Sequence, residues 1–123
     1  MNKPGIGIAL GIILTLPSMA MSTVCTSCTL ASIASGPSYD ALCTSGKCVF
    51  VDVGTPAPGR PGCSTNSQWE YALDLNTDSG KATYALLLTA YISGKPVTIQ
   101  GSGGCALSAA GQVENLSSAE FAP

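Results

Sequence analysis

Six cysteines, all beyond residue 24 of a 123-residue chain, constrain this sequence more than any other feature. They are Cys25, Cys28, Cys43, Cys48, Cys63 and Cys105. In an exported domain of this size an even count reads as a disulfide framework. Cys25-x-x-Cys28 and the close pair Cys43 and Cys48 also offer four thiolates to a zinc ion. A thioredoxin-like role for Cys25-Thr26-Ser27-Cys28 is the weakest reading. That motif opens a helix after a strand, whereas here it precedes a Thr- and Ser-rich stretch.

The compartment decides between these readings, and the N-terminus points to it. Lys3 supplies a basic start, and Ile6 to Leu16 is an apolar run broken only by Gly7, Gly11 and Thr15. Pro17-Ser18-Met19-Ala20 follows, a helix breaker and small residues of the kind a signal peptidase reads. The run falls short of the ~20 residues that span a bilayer. The expectation is a signal peptide over 1–22, cut after Ala20 or Ser22, and a single secreted or periplasmic domain over 23–123. An N-terminal membrane anchor is the alternative. A lipid attached at Cys25 fits poorly, because bulky Val24 stands where a small residue is needed. Export favours disulfides over zinc, and no metal or cofactor is expected.

Histidine is absent. That excludes Ser-His-Asp and Cys-His nucleophiles and histidine metal sites. Beyond the signal segment, Lys47, Arg60, Lys81 and Lys95 stand against seven acids, a net charge of −3. Nucleic acid is excluded as a partner, since its binding rests mainly on Lys and Arg at phosphates.

Periodicity predicts three strands, a helix and two strands. Cys28 to Ala34 is a weak first strand. Lys47 to Val53 alternates, with Val49, Val51 and Val53 on one face and Cys48, Phe50 and Asp52 on the other. Gly54 to Gly62 is a Pro- and Gly-rich loop. In the third strand Trp69, Tyr71, Leu73 and Leu75 alternate with Glu70, Ala72 and Asp74. Thr77-Asp78-Ser79 supplies an N-cap and an acidic first turn, and Lys81 to Ser93 reads as helix. Gly94 and Pro96 end it. Pro96 to Gln100 is the fourth strand and Val113 to Phe121 the last. Mainly β with one helix, in the order β-β-β-α-β-β, is the succession of the OB-fold, a small Greek-key barrel.

Six cysteines allow about 15 pairings. Cys63 precedes the third strand and Cys105 follows the fourth, so a Cys63–Cys105 bridge ties both across the helix. Cys43–Cys48 and Cys25–Cys28 are assigned by proximity.

Few residues carry chemistry. Ser-Gly-Lys occurs at 45–47, 79–81 and 93–95 without the surroundings of a phosphate loop, and reads as turns and caps. Gly101-x-Gly103-Gly104 lacks a third glycine for a dinucleotide fingerprint and reads as a tight turn that lets Cys105 reach a partner. Glu70 and Asp74 share a strand face, where a carboxylate pair could serve glycoside hydrolysis or simply be the solvated side. Trp69 could stack on a sugar, or fill the core. No catalytic residue is assigned. On the helix, Tyr84, Ala85, Leu88, Tyr91 and Ile92 form an apolar stripe expected to cap the barrel. The opposite side, Ala82, Thr83, Leu86, Thr89, Ala90 and Ser93, has no charge, unlike an ordinary surface helix. It is expected to be an oligomer face, with a weakly polar exposed surface as the alternative.

Trp69-x-Tyr71-Ala72-Leu73-Asp74, Thr77-x-x-Gly80-Lys81-Ala82-x-Tyr84, and the run from Leu87-Leu88-x-Ala90-Tyr91 through Ser93-Gly94-Lys95-x-Val97-x-Ile99-x-Gly101-x-Gly103-x-Cys105 resemble a family of small exported bacterial proteins without assigned function. Glu114-Asn115-Leu116 fits the same pattern, so the resemblance covers Cys63 to about Leu116. More distantly, the helix followed by Gly-Lys-Pro-Val and a strand is similar to the B subunits of subtilase-type and pertussis-type toxins. That resemblance implies an OB-fold, a five-membered ring and binding of cell-surface glycans. No glycan-contacting residue of those toxins maps onto a position here. The pair Cys43 and Cys48 and the proline-rich loop depart from both groups.

The expected function is a non-enzymatic binding module, oligomeric, with a carbohydrate or cell-surface ligand. A structural or accessory envelope protein and a small exported hydrolase using carboxylates are the alternatives.

Overall fold

A computed structural model describes Gly5 and residues 23–54 and 59–121. The signal segment expected over 1–22 lies, apart from Gly5, outside the described residues, as do 55–58 of the proline-rich loop. The elements are β1 (Val24–Cys28), β2 (Ser32–Ala34), α1 (Pro37–Asp40), β3 (Cys48–Asp52), β4 (Tyr71–Asp74), α2 (Asp78–Ser93), β5 (Val97–Gly101) and β6 (Glu114–Phe121). Of the weak first strand expected over Cys28 to Ala34 only Ser32–Ala34 is strand; β1 lies ahead of it and shares only Cys28, and α1 is an added turn of helix opened by Pro37.

The six strands form one mixed sheet in the order β1-β5-β6-β4-β3-β2. Its neighbours run antiparallel except β4 and β6, which are parallel. The sheet is not closed: β1 and β2 are its two edges. Three disulfides staple it: Cys25–Cys28 within β1, Cys43–Cys48 at the entry to β3, and Cys63–Cys105, which joins the approach to β4 to the exit from β5.

Strand β3 is buried on both faces. Val49, Val51 and Val53 join Tyr71, Leu73, Val97, Ile99 and Leu116 in the main core, under α2. Cys48 and Phe50 join Cys43, Trp69, Ala72 and Val113 in a second core, with Tyr39 of α1 packed against it. The alternation of this strand therefore separates two cores instead of a core from solvent. Trp69 corrects the expected face: it lies ahead of β4 and packs with Ala72 in the second core, opposite to Tyr71.

Helix α2 begins and ends where its caps require. Thr77 is the N-cap, its Oγ1 accepting from the Gly80 amide at 2.9 Å, and Gly94 closes the C-terminus in the left-handed conformation at φ 67°. Its faces are not the expected ones. Gly80, Leu87 and Ala90 are buried, and Tyr84 and Leu86 are partly buried against the main core. Tyr91 is exposed and Ile92 is 82% exposed. Ala90 and Leu86 therefore do not belong to an outward oligomer face, and Thr83 is only half exposed. The physical reason is close approach. A side chain at Gly80 would collide with the backbone carbonyl of Asp74, so the glycine lets the helix settle onto the end of β4. Small residues do bring α2 near a partner, but that partner is the chain's own sheet. Ala82, Thr89 and Ser93 remain exposed. The hydroxyls of Thr83, Thr89 and Ser93 donate back to carbonyls of the preceding helical turn, at 2.9, 2.9 and 2.7 Å.

Candidate functional site

A groove of about 290 Å³ opens where β4 ends, α2 begins and β6 passes alongside. Leu73, Leu107 and Leu116 give it apolar ground. Asp74, Thr77, Ser79, Thr83, Asn115 and Ser117 give it a polar lining. Several of these groups are held from behind. Asp74 Oδ1 accepts from Ser45 Oγ at 3.0 Å and from the Asn76 amide at 2.9 Å. Asn76 Nδ2 donates to the Ser45 carbonyl at 2.9 Å, fastening the turn before α2 to the loop before β3. Asn115 Oδ1 accepts from the Leu107 amide at 3.0 Å, which fixes the amide plane. The Asn115 NH₂ and the hydroxyls of Ser79 and Ser117 make no hydrogen bond to the described residues. The groove thus presents donors and hydroxyls on a braced frame, with Asp74 as its one carboxylate among the described residues.

Of the three binding candidates read from sequence, Asp74 alone lines this groove. Trp69 is a core residue, 7% exposed. Its ring meets Tyr39 edge-on at 5.9 Å between centroids and Phe50 at 6.1 Å. It also lines a cavity of about 80 Å³ with Leu42, Phe50, Val113, Asn66 and Gln112.

Glu70 is buried as well, contrary to the solvated side expected of its strand face. It precedes β4, its amide donates to the Val51 carbonyl at 2.9 Å, and its Oε2 pairs with Arg60 Nε at 3.3 Å. Arg60 is committed further, donating to Ser64 Oγ at 2.9 Å and to the Asn66 carbonyl at 3.1 Å. Burial pushes the Glu70 carboxyl above its ordinary range; Arg60 opposes the shift, and the charges of Asp52 and Glu114 add to it. Glu70 is thus engaged by Arg60, whereas Asp74 lines the groove.

The residue that sequence reading missed is Glu114, 1% exposed. It accepts from the amides of Gly103 at 2.9 Å and Thr23 at 3.2 Å through Oε2. Gly101 makes room for it: a side chain there would meet the Glu114 carboxylate. The signal was present as a lone acid in Val113–Leu116, next to a Gly-Ser-Gly-Gly run read only as a turn.

Among the described residues no group of three or more Cys, Asp and Glu is placed to hold a metal ion. Nor is any described helix long and apolar enough to cross a membrane. Family models, curated proteins and solved structures were compared with the chain, and none matched.

Proposed function

We propose that the chain is an exported, non-enzymatic binding module with an OB-fold-like core, whose ligand is a carbohydrate displayed on a cell surface. The strand order supports the fold. The edges β1 and β2 are separated only by Thr29–Ala31, and the Ala31 amide already donates to the Asp52 carbonyl at 2.8 Å. Taken as two halves of one bent strand, they leave five strands in Greek-key succession. The helix then falls between the third and fourth, and the third and fifth run parallel.

The observation that carries the function is the lining of the groove beside α2. Hydroxyls, an amide and a single carboxylate over leucine side chains complement the mixed polar and apolar faces of a sugar. A hydrolase reading needs a second carboxylate, and Glu70 is ion-paired elsewhere. Glycan-array binding of the mature protein tests the proposal. Binding is expected, and Ser117→Arg, a substitution at an exposed position on the rim, should abolish it while leaving the thermal midpoint unchanged. No binding to any glycan, or binding indifferent to Ser117→Arg and Thr83→Arg, overturns it.

Self-association belongs to the same reading, through the outer stripe Ala82, Ala85, Thr89 and Ile92 in place of the face expected from sequence. The exposure of Ile92 supports it. Light scattering at high protein concentration decides it, and a monomer removes it.

A further inference from the structure

Glu114 is sealed in the fold, yet both hydrogen bonds it accepts come from neutral backbone amides, Gly103 N and Thr23 N. No cationic side chain pairs with it among the described residues, where Arg60 is engaged with Glu70. A buried carboxylate without a cation is costly. Two further groups in this region lack partners. The hydroxyls of Thr23 and Tyr71 are buried and bonded to nothing among the described residues. Tyr71 stands opposite Glu114 in the β4–β6 register. The other ionisable groups acting here are Glu70 and Arg60. The site is rich in oxygen and short of one positive donor.

Thr23 is positioned to supply it. Its nitrogen already contacts Glu114 Oε2, and it follows the segment read as a signal peptide. Ala20-Met21-Ser22 places small residues three and one before the Ser22–Thr23 bond, the pattern a signal peptidase accepts. We propose that processing cuts this bond and that the new α-ammonium of Thr23 is the counter-ion of Glu114. The inference rests on the exported reading of the chain. In the hydrolysis a water oxygen bonds to the Ser22 carbonyl carbon and the C–N bond breaks. Its electron pair leaves with the nitrogen, which collects protons from that water. The products at neutral pH are the Ser22 carboxylate and Thr23 –NH₃⁺. One N–H becomes three, and a 3.2 Å hydrogen bond from an uncharged amide to the carboxylate becomes an ion pair. A cut after Ala20 leaves Met21 and Ser22 attached and the Thr23 nitrogen an uncharged amide. The ion pair therefore distinguishes two cleavage sites that the sequence alone allows equally.

Intact mass of the exported protein is read first, and the chain should begin at Thr23. A start at Met21 overturns the cleavage site while leaving export intact; a full-length chain in the membrane fraction overturns cleavage, and the ion pair with it. The charge is read by ¹⁵N NMR titration of the Thr23 α-amine in folded and urea-unfolded protein. Folding should raise its titration by about one unit or more above the ordinary 7.7–8.0, a tenfold smaller share of neutral amine. Glu114→Gln should return it to the ordinary value. A chain retaining Met21-Ser22, whose α-amine is two residues before Thr23, should show no shift and serves as the comparison if Glu114→Gln does not fold. Equal titration in the folded and unfolded Thr23-start protein overturns the ion pair.

Discussion

Tyr71 and Glu114 face each other across the parallel β4–β6 pair, each 1% exposed. Burial, then the negative charges of Glu114 and Glu70, push the Tyr71 hydroxyl far above the ordinary tyrosine range, with Arg60 opposing. A phenol held protonated by the fold contributes stability below its unfolded pKa of about 10, and loses it as pH rises through its folded titration. Alkaline titration followed by phenolate absorbance should show one of the four tyrosines ionising only as the protein unfolds. Tyr71→Phe should remove that late step. A smooth titration of all four in the folded state would contradict this burial.

Glu70 should impose a second slope at lower pH. Its carboxyl is raised in the fold, mainly by burial. The folded state therefore holds this proton more tightly than the unfolded chain, and stability declines as pH rises from about 4.3 through the folded titration of Glu70. Glu70→Gln should flatten that decline. Urea midpoints measured across pH 3–8 in both proteins check it. An unchanged slope would assign the effect to another carboxyl.

The helix caps were legible because they depend on local chemistry: Thr77 caps, Gly94 turns and Pro96 stops, although the helix starts at Asp78 and not at the expected Lys81. The helix face was not. Apolar residues run around α2, with Tyr84, Leu86, Leu87, Leu88, Tyr91 and Ile92 all present, so no stripe stands out. The face is chosen by Gly80 fitting over the Asp74 carbonyl, a contact between elements that sequence periodicity does not express. The strands of β3 and β4 were readable, but their second buried face was not. It exists because α1 and the segment before β6 fold over Phe50 and Trp69. Glu114 escaped notice for the same reason: its partners lie on segments brought together only by the fold.

Neighbouring positions on α2 should respond oppositely to charge. Ala90 is 2% exposed against the main core, whereas Thr89 faces outward. Ala90→Glu should cost at least about 3 kcal/mol, through overpacking and a buried charge. Thr89→Glu should stay within about 0.5 kcal/mol. Denaturant unfolding of both variants measures the contrast. Equal effects would mean that α2 sits on another face.

The disulfides should differ in worth. Cys63–Cys105 closes a span of 42 residues, while Cys25–Cys28 closes 3. In the chain-entropy model these correspond to roughly 4 and 1.6 kcal/mol. Replacing each pair by alanines and comparing urea unfolding should therefore show the larger loss for the long bridge. A larger loss from the Cys25/Cys28 pair would show that β1 depends on its own staple for its pairing with β5.

The three bridges join the cysteines in consecutive pairs, first with second, third with fourth, fifth with sixth. If the chain is exported as proposed, emerging N-terminus first, it offers its thiols to an oxidant in that same order. Cys28 arrives while Cys25 is the one thiol waiting, and Cys48 arrives beside Cys43 with the first pair already spent. Cys63 then has no rival until Cys105 appears. Oxidation in step with emergence yields the native pairing without any exchange between bridges, whereas refolding the complete reduced chain exposes it to all of the alternative pairings at once. For the exported chain proposed above, the order of emergence would therefore favour the native covalent framework.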